Sequence, residues 1–476
     1  MWNIIKKELA ANLLSFRFIL IFLLCFTLIM VSTYTMRGKY NESLKEYSAA
    51  VKIHKAELEE AEGAQGLNQA AINGYKLDKP PAPLSVIVEG MEGAAGNYTT
   101  INILSSPVLE GGSGSDPMFA YFGTLDIMYI VRVVLSLVAI LLTYDAISGE
   151  KEQGTLKLAL SNSVPRANVL LAKCIGGYLT ILLPFLIPLL IGFLILTSSG
   201  SIDFSNEEWI RISLILLVSL LYIGVFLMLG VMVSSRTNHS TTSLMTLLFI
   251  WVVVVLAVPK VSMLVAGKIK DVPSIQEIQA EKDTAMNQIM NEQQEKIQKY
   301  FAEHRNEMGD TNKRMEVMAE VGEMQEEMFN NISKKKSQID LEYESKKAEQ
   351  FRLASILSRI SPASVYTYAS TNLARTGFNR QERFMKAARI YQVSFVQYFN
   401  EMMNQLMTRV GRGQGENQEE LNEIKFDVSK LPNLDFREAN LSESWNAVYY
   451  DFIILFLLLA CLFMIGYVGF VRSDIR

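Results

Sequence analysis

The chain has 476 residues, half of them hydrophobic and one-fifth charged, with a net charge of -4 at pH 7. So much charge-free sequence is unusual in a soluble protein of this length but ordinary in a membrane protein carrying a polar extramembrane domain. The near-neutral balance gives no reason to invoke nucleic acid. Cys25, Cys174 and Cys461 all fall in or beside apolar stretches, which leaves the polar regions without a disulfide framework or a cysteine-based metal site.

Residues 1–14 read as an amphipathic interfacial helix, with Trp2, Ile5, Leu9 and Leu13 on one face and Asn3, Lys6 and Lys7 opposite. A bilayer core takes roughly 20 apolar residues in a helix. The first such span is residues 15–36, charge-free from Phe18 to Met36. No clean small-x-small cleavage site follows it, so it reads as a retained anchor rather than a signal peptide. Residues 37–117 form an external loop in which Leu44, Tyr47, Val51 and Leu58 repeat at helical spacing, and Ser85–Glu89 and Thr99–Ile103 are candidate short strands.

The second span covers residues 118–145 and contains Asp126 and Arg132. Residues 146–172 form a polar hairpin. The remaining spans are residues 173–200, 209–235, 240–266 and 448–472, with Pro184 and Pro188 placed to kink the third. Lys6, Lys7 and Arg17, then Lys151, Lys157, Arg166 and Lys173, then Arg236, and finally Arg472 and Arg476 fall on one side of such a six-span chain. The loop with Asp203, Glu207 and Glu208 falls on the other. Basic loops face the cytoplasm, so both termini are expected there, in a multi-pass protein of the inner (cytoplasmic) membrane.

Residues 267–447 are then extracytoplasmic and strongly helical. Ile278, Ala285, Ile289, Ile297 and Tyr300 make one stripe. Val321, Met324, Met328, Ile332, Ile339 and Tyr343 make a second, and Phe384, Tyr391, Phe395, Tyr398 and Met402 a third. Such helices bury their stripes against one another, as a bundle or antiparallel coiled coil. Gly411–Asn417 reads as a loop and Phe426–Phe436 as extended chain returning to the last span. The methionines of this region (Met286, Met290, Met315, Met318, Met324, Met328, Met402, Met403 and Met407) mostly keep helical spacing, which favours packing over soft-metal binding. His54, His239 and His304 have no metal-ligand spacing. The expected fold is an all-α membrane protein with six transmembrane helices, an N-terminal interfacial helix and a large coiled-coil-like external domain.

Two candidate sites stand out. Asp126 and Arg132 are costly inside a membrane and either line a gate or substrate path or are satisfied locally at the interface. Their spacing of nearly two turns lets long side chains approach on one face. The second site is the hairpin Tyr144-Asp145-Ala146-Ile147-Ser148-Gly149-Glu150-Lys151-Glu152-Gln153-Gly154-Thr155-Leu156-Lys157. Gly149 and Gly154 allow tight turns, and Thr155 is placed to cap a surface helix through Leu156, Leu158 and Leu160. Such a helix offers a docking face to a soluble partner.

The run Gly149-Glu150-Lys151-Glu152-Gln153-Gly154-Thr155-Leu156 resembles the acidic E-x-E-x-G-T-L signature of ABC-2-type permeases, at its usual place between the second and third spans. The large external insertion is similar to that of a subgroup linked to gliding motility and copper-enzyme maturation. Ser361-Pro362-Ala363 and Leu373-Ala374-Arg375-Thr376-Gly377 also look similar to that subgroup. The resemblance implies a permease of an ATP-driven exporter, paired with a second permease subunit of the same or another kind, and contacting membrane lipid. It implies ABC ATPase subunits docked on a coupling helix over Glu150–Leu160, with Glu150 and Glu152 contacting the ATPase or holding the hairpin. ATP and Mg then belong to the partner, since this chain has no G-x-x-x-x-G-K-[ST] loop. No H-E-x-x-H or nucleophile elbow is present, so the chain itself is not expected to be an enzyme. An extracytoplasmic protein is a further partner the large domain would suit. The competing reading is a membrane-anchored sensor or scaffold.

Overall fold

The structure is a computed structural model. It describes the chain except residues 1, 61–68, 70, 94–95, 104, 112–123, 157–164, 199, 201, 307–310, 412–432 and 473–476. Helix α1 is Trp2–Leu13 and α2 is Phe16–Glu59. Helix α3 covers 127–143 and passes through a π-helical segment, Ile130–Leu135; α4 is Ser148–Glu152 and α5 is Arg166–Ser198. Helix α6 is Asn206–Arg236, and α7 is Ser240–Ile269 with a second π-helical segment at Val252–Ala257. Beyond it come α8 (Ile275–Glu303), α9 (Thr311–Ser358), α10 (Pro362–Ala374), α11 (Phe378–Gly411) and α12 (Leu441–Arg472). Six of these stretches (α2, α3 with α4, α5, α6, α7 and α12) are long and apolar enough to cross a membrane. The chain is an all-α membrane protein.

Local chemistry sets the helix starts. Ser205 with Glu208, and Ser274 with Glu277, each form a reciprocal capping box that satisfies two otherwise orphaned backbone donors at the heads of α6 and α8. Asp126 caps α3 by accepting from Tyr129 N at 2.7 Å. Among the described residues the second span is helical from Ile127, with Asp126 extended before it; its expected beginning at Met118 lies outside the described residues. Pro184 and Pro188 are buried within the uninterrupted helix α5.

Helix α6 is the hub, packed against α3, α10 and α12. Gly230 of α6 lets α3 approach, because a Cβ there would stand 1.8 Å from Thr143 Oγ1. The main apolar core runs through α2, α3, α5, α6, α7, α10 and α12. A second core joins Leu58 at the far end of α2 to Phe384, Tyr391 and Phe395 of α11 over a small antiparallel sheet. That sheet is β1 (Tyr75–Asp78), β2 (Tyr98–Ile101) and β3 (Leu109–Glu110), with Leu77 opposite Thr99 and Thr99 opposite Leu109.

The elements beyond the spans differ from expectation in several respects. Leu44, Tyr47, Val51 and Leu58 do lie on a helix, but it is the same unbroken 44-residue α2 that forms the first span. The strand expected at Ser85–Glu89 is instead a 3-10 turn, Pro83–Val86, because Pro83 starts a tight turn. The strand expected at Thr99–Ile103 is β2. The third stripe packs on this sheet and on Leu58 of α2 rather than on α8 and α9. The second stripe packs against α8 as an antiparallel hairpin, with Val321, Ile332 and Ile339 buried and a buried Lys282–Asp340 ion pair beside them. The expected loop after Gly411 and most of the expected return strand lie outside the described residues. So do the side chains of Met315, Met403 and Met407.

Helix α10 does not join the α8–α9 hairpin. Nine of its thirteen residues are buried in the core of the spans. Ser361 caps it, Pro362 occupies its first turn, and Arg375 ends it in the left-handed conformation, at φ 57°.

Candidate functional site

Two sets of polar residues lie at opposite ends of the spans. The first is the hairpin after α3. Helix α4 turns back onto α6 and α7, and two buried backbone donors at its head are met by one side chain: Ile147 N and Ser148 N both donate to Ser234 Oγ at 3.0 Å. Lys151 Nζ donates to the carbonyls of Ser235 (2.5 Å) and Thr237 (3.2 Å) at the end of α6.

The two acidic residues of the hairpin have partners within the chain. Glu150 accepts from Lys173 at 2.8 Å, and Lys173 also donates to Glu8 of α1 at 3.0 Å. The Lys173 side chain is only 5% exposed. Two carboxylates compensate one desolvated ammonium, the arrangement that makes a buried charge tolerable. Glu152 accepts from Ser240 N (3.1 Å) and Ser240 Oγ (2.9 Å) at the head of α7, with His239 Nδ1 at 4.0 Å. Lys173 of α5 thus holds both α1, through Glu8, and the hairpin, through Glu150, while Glu152 joins the hairpin to α7. An exposed pair, Arg17–Asp145 at 2.8 Å, links α2 to the same turn; exposure makes it weak.

The glycines play different parts. Gly154 is left-handed, at φ 71°, and a Cβ there would meet nothing, so conformation rather than space calls for glycine. Gly149 lies inside α4 and makes no turn. Thr155 is already helical and donates its hydroxyl to Glu150 O at 3.4 Å rather than serving as a cap. Leu156 is 1% exposed and belongs to the main core, so it faces inward. Leu158 and Leu160 lie outside the described residues.

The second set lies at the other end of the spans. Asp126 and Arg132 do not meet. Asp126, besides capping α3, accepts from Glu89 N at 2.9 Å and so ties the head of α3 to the segment before β2. Arg132 Nη1 donates to Thr367 Oγ1 of α10 at 3.4 Å and lies over the Tyr129 ring. Around it is a compact polar cluster. The Tyr222 hydroxyl donates to Arg132 O at 2.8 Å, Tyr222 stacks on Tyr366 of α10, and Tyr366 shares a 3.0 Å hydrogen bond with Ser219. Trp251 donates to Ser136 Oγ at 2.9 Å, and Ser361 Oγ donates to Val254 O in the π-helical segment of α7 at 2.6 Å. Both π-helical segments thus lie against α10, and such segments leave backbone groups open to side-chain partners.

Sequence reasoning missed Arg211. It is fully buried and donates to Leu373 O (3.0 Å), Ser444 Oγ (2.8 Å), Ala439 O (2.7 Å) and Glu207 (2.7 Å), fastening α6, α10 and α12 together. Glu207 also accepts from Arg375 at 2.7 Å. The pattern Glu207-x-x-x-Arg211 was the available signal, since i,i+4 pairs share a helix face.

Among known proteins, the family described as ABC-2 family transporter protein matches residues 2–475. No curated protein matches the chain.

Proposed function

The chain belongs to the ABC-2 family of transporter proteins, and from that premise we propose that it is the permease of an ATP-driven exporter whose ATPase is a separate chain docked at the α3–α5 hairpin. The membrane-embedded permease component follows from the family; the coupling surface and the direction of transport are our reading. The observation that carries it is the anchoring of the hairpin. Glu150 is linked through Lys173 to α1 and α5, and Glu152 through Ser240 to α7. A push on α4 is therefore delivered to three elements at once. This supports a holding role for both acids, with the exposed residues Gln153, Gly154 and Thr155 offering contact surface. The basic loops support placing this end, and both termini, in the cytoplasm of an inner-membrane protein. Two copies, or this chain and a second permease, complete the membrane unit, and partner ATPases bring ATP and Mg.

The α8–α9 hairpin supports work on an extracytoplasmic partner as well as export. Arg359, one residue past α9, pairs with the buried Asp451 of α12 at 2.7 Å, so the hairpin is fastened directly to a span.

The test is a pull-down from native membranes followed by ATP turnover with and without Glu150→Ala/Glu152→Ala. An ABC ATPase is expected to co-purify, and the double variant to lose turnover or its dependence on the permease. A chain that purifies alone under all detergent conditions would instead be a sensor or scaffold.

A further inference from the structure

A cavity of about 620 Å³ opens between α2, beyond its apolar stretch, and the segment from Asp78 to Tyr98. Five carboxylates line it (Glu42, Glu46, Asp78, Glu89 and Glu92) against the ammonium groups of Lys39 and Lys79 and the His54 imidazole. Two of the carboxylates have a cationic neighbour, Glu89 with Lys39 and Glu92 with Lys79 at 3.3 Å and Arg380 at 2.7 Å, and Asp78 is hydrogen-bonded to the His54 imidazole at 2.8 Å. Glu42 and Glu46 stand one turn apart on α2 and make no ion pair among the described residues.

Glu89 gives the second, independent indication. It is 3% exposed, its backbone N–H is held by Asp126, and its Oε2 is buried with no hydrogen-bond donor among the described residues. A buried carboxylate oxygen without a donor is costly, and a ligand N–H in the cavity would supply one. Burial also shifts two neighbours, lowering the pKa of Lys79 and raising that of Asp78. The cavity wall is therefore poorly solvated, and charge contacts within it are strong. Tyr40 and Tyr47 add aromatic surface of the kind that attracts ammonium groups. No three of these groups converge tightly enough, among the described residues, to hold a bare metal ion.

We propose that this cavity binds a small organic cation bearing two or more protonated amines, one seated against Glu89 and another between Glu42 and Glu46. The site is separate from the hairpin and needs no ATPase, so its test stands apart from that of the permease reading.

The full chain in zwitterionic-lipid nanodiscs would be titrated calorimetrically with spermidine, and in parallel with magnesium and inorganic phosphate. Saturable spermidine binding is expected, weakened about tenfold or more in Glu42→Gln/Glu46→Gln, as befits charge-assisted hydrogen bonds. Both residues are exposed on α2, so this variant should keep its thermal unfolding unchanged; Glu89→Gln, the more direct change, is buried and serves as a second variant where it folds. The proposal is overturned by spermidine that does not saturate, by undiminished binding in the Glu42/Glu46 variant, or by magnesium or phosphate binding in its place.

Discussion

Helices α9 and α10 are neighbours in sequence, between the same two spans, and have opposite fates. Helix α9 has 48 residues and buries a single stripe against α8, leaving most of its surface in solvent. Helix α10 has thirteen residues and sinks nine of them into the core of the spans, against both π-helical segments. Charge accounts for part of the difference, because α10 has no Asp, Glu, Lys or Arg while α9 is densely charged; the rest lies in its Ala, Ser, Thr and Tyr side chains. Small side chains permit close helix approach in an apolar setting, and hydroxyls can bond to neighbouring helices. A single insertion between two spans thus supplies both a long hairpin, fastened to α7 and α12 at its base, and a missing piece of the membrane core.

The largest break in this contrast is expected from Arg211→Ala. It leaves the carbonyls of Leu373 and Ala439 without their donor and Glu207 short of a cation. Removing one partner from a buried charge network costs about 3–5 kcal/mol, so thermal unfolding should collapse and α10 should lose amide protection together with α6. Next is Ile332→Ala in α9, where truncating a buried isoleucine costs about 2–5 kcal/mol. Here hydrogen exchange should rise across α8 and α9 alone; exchange spreading into α6 would show that the hairpin and core are one cooperative unit. The smallest effect is expected from His54→Ala, which removes the hydrogen bond to Asp78 and costs about 1 kcal/mol at neutral pH. Burial already raises the Asp78 pKa and His54 partly opposes it, so the variant should raise it further. A raised carboxylate pKa means the folded state binds the proton more readily, so the variant's deficit should shrink as pH falls through that pKa. A deficit constant from pH 7 to pH 4 would overturn this account.

The contrast also shows what was legible in the chain. The six spans were plain because uninterrupted apolar length is a one-dimensional signal, and Val321, Ile332 and Ile339 were plain because a helix repeats its face every 3.6 residues. Phe384, Tyr391 and Phe395 announced a buried face but not that a sheet lay under it. At the hairpin, the acidic pair was visible, whereas its engagement by Lys173 and Ser240 depends on helices distant in sequence. Helix α10 was grouped with the external domain because its thirteen residues are too few to read as a span. Arg211 was overlooked because a charge at the end of a span ordinarily reaches water. Asp126 could have been read as a cap, standing three residues before Tyr129 at the head of an apolar helix.

The unbroken course of α2 has a mechanical consequence. Its 44 residues rise about 66 Å, roughly twice the thickness of a bilayer core. One end meets α1 at Ser15, close to where Glu8 is fastened to Lys173, and the far part forms one wall of the carboxylate-lined cavity. A rod without a joint is a lever: a tilt of 5° about its lower end would carry the upper end about 6 Å sideways, on the ideal helical rise. The width of that cleft and the seating of α1 are thereby two readings of one angle.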